Sequence, residues 1–193
     1  RTNDDDKVLT NLVMRESDRL SRLLSEFLDF ARVRVSRRTP MDLARVGAGA
    51  VNLALAHPDR PEGVSVRCEA EEGVYFVEGD DDLLHRAVFN LLLNAMQASP
   101  AGSVVTLAVG AARPDQLDVG STFVHGGAAL SVTDAGPGIP PELRDRLFDP
   151  FFTTKVGGSG LGLAVVQRAI DAHRGLVFLD TGNDGTCFTI VLP

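Results

Sequence analysis

The segment Asp80–Ser99 constrains the fold most. Acidic residues fill its first turn, where the helix dipole favours negative charge, and Pro100 stops it, so it is expected to be one strong helix. Within it stands Asn90-Leu91-Leu92-Leu93-Asn94-Ala95. Asn90 and Asn94 are four apart and share a helix face, preceded by His85-Arg86-Ala87-Val88-Phe89. Two carboxamides amid Leu, Phe and Met are costly to bury without partners. Either local backbone satisfies them, or they face a ligand. A hard cation such as Mg²⁺ takes oxygen ligands, and a carboxamide supplies one without adding negative charge beside a triphosphate.

Other elements arrange around this helix. Residues 8–35 read as a long helix with apolar positions at Leu9, Leu12, Val13, Leu20, Leu23, Leu24, Phe27, Leu28 and Phe30, a stripe wide enough for a helical bundle. One helix cannot bury such a stripe alone, so it needs partner helices. Val35–Pro40 breaks the pattern, and Pro40 disfavours helix at Thr39, which places a boundary between residues 1–40 and 41–193. Beyond it, 42–56 reads as a helix capped by Asp42, and Val64–Ala70 with Val74–Glu78 as a hairpin about Glu71-Glu72-Gly73. Val104–Val109 and Ala128–Thr133 read as strands joined by a polar connection over 111–127. Pro141–Phe148 is a short helix, Leu161–His173 a longer one, and Leu176–Asp180 and Thr186–Leu192 the last strands. This order predicts an α/β two-layer sandwich, with helices on one face of a mixed sheet and the long amphipathic helix ahead of it.

Three loops carry further chemistry. Asp134-Ala135-Gly136-Pro137-Gly138-Ile139-Pro140 follows a strand. Its glycines let a flat ring approach backbone, and an ionised Asp accepts hydrogen bonds only, which suits the exocyclic amine of adenine over the carbonyl of guanine. An ordinary Gly/Pro turn reads the same way when taken alone. Gly157-Gly158-Ser159-Gly160-Leu161-Gly162 opens a helix, whose first N–H groups bind phosphate. It is neither a Rossmann fingerprint, since no strand leads into it, nor a P-loop, since no Lys-Ser/Thr follows. Phe148-Asp149-Pro150-Phe151-Phe152-Thr153-Thr154-Lys155 reads as a hydrophobic anchor, or as a lid based on Phe148 and Phe152 with Lys155 at its tip.

The ordered set is more specific than any member. Asn helix, DxGxG turn, Phe cluster, GxGxG loop and a Gly185-Thr186 strand resemble, in order, the N, G1, F and G2 boxes of a bacterial sensor histidine kinase core, in the nitrogen-regulation-type subclass with FFTTK. The resemblance covers nearly the whole chain. Met14–Leu20 with Leu28–Arg32 resembles the second helix of that family's dimerisation and phosphotransfer hairpin. It implies the Bergerat fold with three main helices, ATP and Mg²⁺ as ligands, and transfer of the γ-phosphoryl to a histidine and then to a response-regulator receiver domain. Asn94 would be the metal ligand and Asn90 would lie beside the triphosphate. Asp134 would hold the adenine amine in a pocket shaped by Gly136, Gly138 and Ile139. Phe152, Thr153, Thr154, Lys155, Gly158, Ser159, Gly160, Leu161, Gly162 and Thr186 would complete the nucleotide site. Lys155, by position and charge, is the candidate for the γ-phosphate.

The chain also departs from that pattern. The family's acceptor histidine lies on the first hairpin helix before an acidic residue, and His57, His85, His125 and His173 do not fit; all four read as structural or solvated. The expectation is therefore a chain that binds Mg·ATP and does not phosphorylate itself, its acceptor lying on a histidine-bearing hairpin. Ala135 stands where Asn is frequent, and Gln97 where many members are basic, which leaves phosphate neutralisation open. Alternatives are a gyrase/chaperone-type ATPase, which would have Glu in place of Asn90, a sigma-factor-binding serine kinase, and a non-catalytic nucleotide-binding and dimerisation module self-associating through residues 9–30.

Charge and cysteines bound the rest. Residues 1–40 carry nine Lys/Arg against seven Asp/Glu, and residues 41–193 ten against nineteen, so nucleic acid is an unfavourable partner. Cys68 and Cys187, in apolar strand-like runs, are expected to be buried reduced thiols. With no bilayer-length apolar run and no signal peptide after Arg-Thr-Asn-Asp-Asp-Asp, the chain is expected to be cytoplasmic, within a parent that could be membrane-tethered.

Overall fold

The structure is a computed structural model that describes residues 2–31, 35, 37–117, 123, 126–155 and 157–193. Helix α1 (Thr2–Ala31) leads into β1 (Thr39–Asp42), α2 (Leu43–Ala56), β2 (Ser65–Ala70), β3 (Phe76–Gly79) and α3 (Asp81–Ala98). Then come β4 (Val104–Ala111), α4 (Pro114–Leu117), β5 (Ala128–Thr133), α5 (Pro141–Arg144), α6 (Gly162–Ala172), β6 (Leu176–Gly182) and β7 (Gly185–Leu192).

The main sheet has the order β2-β4-β5-β7-β6, with β2 and β4 parallel and the other pairs antiparallel. Period-two alternation turns Val105, Leu107, Val109, Leu130, Val132, Phe188, Ile190 and Leu192 into the core. Helix α3 packs between α2 and α6. It contributes Leu84, Ala87, Val88, Leu91, Leu92 and Met96, all at most 1% exposed. Each such leucine contributes about 1.5–3 kcal/mol by leaving water. Asp42 caps α2 through the Ala44 N–H (3.0 Å), and Asp80 caps α3 through the Leu83 N–H (3.3 Å), as their places before apolar runs foretold. The two-layer sandwich with three main helices is as the sequence implied.

The expected hairpin does not form. β2 pairs with β4 instead, and β3 pairs with β1 in a separate two-stranded sheet. Non-local bonds win here: the Glu71 N–H extends the β2 ladder to the Val109 carbonyl, and the Tyr75 carbonyl takes the Leu43 N–H at the start of α2. β1 is hard to see in sequence because it is four residues long and holds Pro40, tolerated because a two-stranded sheet is all edge. The sequence boundary after residue 40 falls within β1. Pro141–Phe148 shortens to α5 followed by turns, and the end of the 8–35 helix, with most of 118–125 and hence His125, lies outside the described residues.

Neither cysteine is buried. Cys68 is exposed because β2 is an edge strand, and Cys187 is half-buried because it alternates onto the sheet's outer face; both are free thiols. Among the described residues no helix is long and apolar enough to cross a membrane. Along α1, Val8, Leu9, Leu12, Val13, Leu20 and Leu24 stay more than half exposed. Its C-terminal end touches the rest of the chain. Arg168 donates to the Phe30 carbonyl (3.0 Å) and lies over the Phe30 ring, and Phe27 stacks near Phe151.

His173 is a core histidine, 1% exposed. Its Nε2 accepts the Asp80 N–H (2.8 Å), so Nδ1 carries the proton and donates to the Ala169 carbonyl (2.6 Å). This neutral ring joins the end of α6 to the start of α3. Burial pushes its pKa below the ordinary histidine value and the Arg38 charge adds to that, while the Ala169 bond and the Asp80 charge oppose it. The unfolded chain therefore takes up this proton first as pH falls. The stability it contributes is complete above about pH 6.5 and declines below that until the folded pKa is reached, at no more than about 1.4 kcal/mol per pH unit. Urea denaturation is expected to show a lower midpoint at about pH 5.5 than at about pH 7.5, with a smaller difference in His173→Gln.

Candidate active site

The floor of the cleft is one face of α3, where Asn90, Asn94 and Gln97 follow at spacings of four and three. The Asn90 Nδ2 donates to the Arg86 carbonyl (2.8 Å), so its Oδ1 is turned outward. That oxygen lies 3.0 Å from where a Cβ on Gly162 would stand, and Asn94 Nδ2 lies 3.6 Å from the same point. Glycine at 162 is what lets the first turn of α6 sit over both asparagines. Leu161 is buried at that N-terminus, and its N–H meets Ser159 Oγ (3.3 Å). The next N–H groups and the helix dipole make this end a place for anions.

At the C-terminal end of α3 lies the Asp134 turn. Asp134 is 8% exposed, and its Oδ1 accepts the N–H groups of Gly136 (2.8 Å) and Thr186 (3.1 Å). Both donors reach the same oxygen, so Oδ2 is the one left for a ligand. Burial raises the Asp134 pKa, against the two N–H donors and the positive charge of Lys155. Three further contacts hold the turn. Ser99 Oγ accepts the Ala135 N–H (3.3 Å), Thr181 Oγ1 accepts the Ile139 N–H (2.9 Å), and Gly138, at φ 76°, lies directly against the Gly182 carbonyl. The whole turn is thus wedged between α3 and the β6–β7 hairpin.

The third wall is the segment between α5 and α6. Phe148 packs edge-on against Phe188 (6.3 Å), and the Arg146 guanidinium covers the Phe152 ring (4.4 Å). Phe151, with a left-handed φ of 68°, donates its N–H to the Gly160 carbonyl (3.0 Å) and ties the two ends of the lid. Gly160 abuts the Phe151–Phe152 backbone so closely that no Cβ fits. Between these ends, Thr153 Oγ1 accepts the Lys155 N–H (3.1 Å) and the Lys155 carbonyl accepts the Gly158 N–H (3.2 Å). The Lys155 residue is exposed, yet its ammonium turns inward and bonds Asn94 Oδ1 (2.8 Å) and Gln97 Oε1 (2.7 Å). That desolvation lowers its pKa, with the Asp134 charge opposing.

The structure gathers most of the sequence-derived residues about one cleft. Asn90, Asn94, Lys155, Ser159, Gly160 and Gly162 cluster at one end, and Asp134, Gly136, Gly138, Ile139 and Thr186 at the other. The Leu161 side chain belongs to the core, so only its backbone can face a ligand. Thr154 is exposed on the lid, Phe152 reaches Arg146, and Val156 lies outside the described residues. Sequence reasoning left Ser99, Thr181 and the anchoring part of Gln97 unassigned. Only Gln97 had a signal, its place one turn beyond Asn94.

Residues 79–193, well over half of the chain, match the family described as histidine kinase-, DNA gyrase B-, and HSP90-like ATPase. The chain belongs to that ATPase family. Membership implies ATP as the nucleotide. Among curated relatives, the sensory histidine kinase/phosphatase NtrB of Rhizobium leguminosarum bv. phaseoli is 34% identical over 196 residues, covering 98% of this chain and 50% of that protein. The sensor histidine kinase ZraS of Salmonella typhi is 31% identical over 186 residues, 96% of this chain and 37% of that protein. The chain thus spans half or less of the length of these relatives. Among solved structures, a mycobacterial sensor histidine kinase, MprB, superposes with a TM-score of 0.65 at 32% identity, covering 81% of this chain and 97% of that one. Within the ATPase family the catalytic domain is therefore of the sensor-histidine-kinase kind.

Gly138→Ala is expected to destabilise the chain by about 2–5 kcal/mol, from the left-handed backbone and the crowded Gly182 carbonyl together, as read by chemical denaturation.

Proposed function

We propose that this chain is the Mg·ATP-binding catalytic part of a two-component sensor histidine kinase. It would present the γ-phosphoryl to a histidine on a phosphotransfer hairpin, which would pass it to a response-regulator receiver domain. The observation that carries the reading is the pairing, about one cleft, of a buried carboxylate with one oxygen left for a ligand, in the turn after β5, and a carboxamide oxygen on α3 that already attracts a cation.

Each residue then has a part. Asp134 Oδ2 accepts the adenine amine while Gly136 and Gly138 keep side chains out of the ring's plane. The N-terminal turn of α6, with Gly158, Gly160 and Gly162, faces the phosphates. Asn94 Oδ1 would hold Mg²⁺, and the donor set fits, since a neutral oxygen beside phosphate oxygens suits a hard cation. When bound, the ion neutralises phosphate charge. Asn90 sits beside the triphosphate, and Lys155 is the side-chain cation for the γ-phosphate. In the transfer, the bond from phosphorus to the ADP oxygen breaks and a bond to the histidine nitrogen forms. Positioning and charge neutralisation supply most of the catalysis.

Hydrolysis is the less favoured reading because the carboxamide of Asn90 cannot deprotonate water. Residues 1–40 read as part of the dimerisation hairpin and 41–193 as the catalytic unit. The exposed stripe on α1 gives a histidine-bearing hairpin helix, or a second copy of the chain, an apolar face to pack on.

Calorimetric titration with a non-hydrolysable ATP analogue and its guanine counterpart tests the base-recognition part. The native chain is expected to prefer adenine, and Asp134→Asn to lose roughly 10–100-fold in ATP-analogue affinity. Equal binding of both bases, or an Asp134→Asn chain that binds as the native one does, would remove the assignment.

A further inference from the structure

The two carboxamide oxygens that hold the Lys155 ammonium lie three residues apart on one face of α3, Asn94 Oδ1 at 2.8 Å and Gln97 Oε1 at 2.7 Å. Both acceptors are neutral, and Gln97 is exposed, so the contact is a charge-assisted pair without an ion pair's strength. The backbone around Lys155 is braced to aim the side chain there, by Thr153 Oγ1 on its N–H and the Gly158 N–H on its carbonyl. Gly157, at φ 79° with open space about it, stands two positions further on and gives the segment somewhere to swing.

We propose that Lys155 is an internal cation that occupies Asn94 in the nucleotide-free chain, and that Gln97 is the positioning residue that holds it there. This rests on the reading of Asn94 as the oxygen offered to a metal ion. Two cations on one carboxamide oxygen repel each other, so Lys155 and the metal exclude one another at Asn94. The lid is therefore latched over the asparagine face until a metal–nucleotide complex arrives. The complex takes Asn94, and its phosphates offer the displaced ammonium an anionic acceptor stronger than the neutral pair it leaves. Position 97 carries no charge of its own, and its part is to store the charge of Lys155 beside the phosphate site.

Lysine occurs only at Lys7 and Lys155, which makes the latch directly readable. A lysine-specific endoproteinase cuts the nucleotide-free chain at two places, and cutting after Lys7 serves as the internal reference. Gln97→Arg, which repels the ammonium without adding a lysine, is expected to raise cleavage after Lys155 relative to Lys7 by roughly threefold, the size of one exposed charge contact. Gln97→Glu, which attracts it, is expected to lower that ratio. Ratios unchanged in both variants overturn the latch. Binding of Mg²⁺ with a non-hydrolysable ATP analogue, measured separately on the native chain, distinguishes the two levels. A chain that binds the analogue while its cleavage ignores position 97 has the site without the latch. A chain whose cleavage follows position 97 but that binds no analogue keeps Lys155 on Asn94 and loses the nucleotide reading.

Discussion

Helix α3 has to be two things at once, the centre of the hydrophobic core and the floor of a polar cleft. One side carries Leu84, Leu91, Leu92 and Met96 into the core, and the other carries Asn90 and Asn94 toward the α6 N-terminus and Gln97 toward Lys155. The arrangement is stable because every polar group on that second side has an answer nearby. Asn90 bonds its own helix, Asn94 and Gln97 share Lys155, and Ser99 bonds both the Ala95 carbonyl and the Ala135 N–H. Among the described residues no buried side-chain nitrogen or oxygen lacks a partner. His173 fixes α3 at its other end, so the helix is held from cap to cap before any ligand is considered.

Glycine makes the cleft possible at three contacts. Gly162 admits α6 against the asparagines, Gly138 admits the Asp134 turn against the β6–β7 hairpin, and Gly160 closes the lid on the Phe151–Phe152 backbone. In each case the neighbour is a carbonyl, a carboxamide or main chain, so a side chain would displace part of the site. The electrostatics follow from the same closeness. Asp134 and Lys155 lie in one cleft, each partly desolvated and each opposing the other's shift toward the neutral form.

The sequence was legible where local chemistry determines structure. The caps Asp42 and Asp80, the acidic start of α3, and the alternation in β4, β5 and β7 all announce their elements. The ordered Asn, DxGxG, Phe and GxGxG segments announced the family. Legibility failed where long-range pairing overrode local pattern. Glu71-Glu72-Gly73 looks like a hairpin turn, yet β2 and β3 belong to different sheets. The burial of Cys68 and Cys187 depended on which strand was an edge and which face was covered, and neither is a property of the surrounding residues. Gln97 could be read only as a missing charge, because the lysine that completes it lies 58 positions away.

The proposed transfer reaction is tested most directly by supplying what the chain is expected to act on. With γ-labelled ATP, Mg²⁺ and a separately prepared hairpin domain bearing the acceptor histidine, label is expected to appear on the hairpin in acid-labile, base-stable form. The chain incubated without the hairpin is expected to remain unlabelled. Steady release of inorganic phosphate with no label on the hairpin would contradict the account and return the chain to the hydrolytic branch of its family.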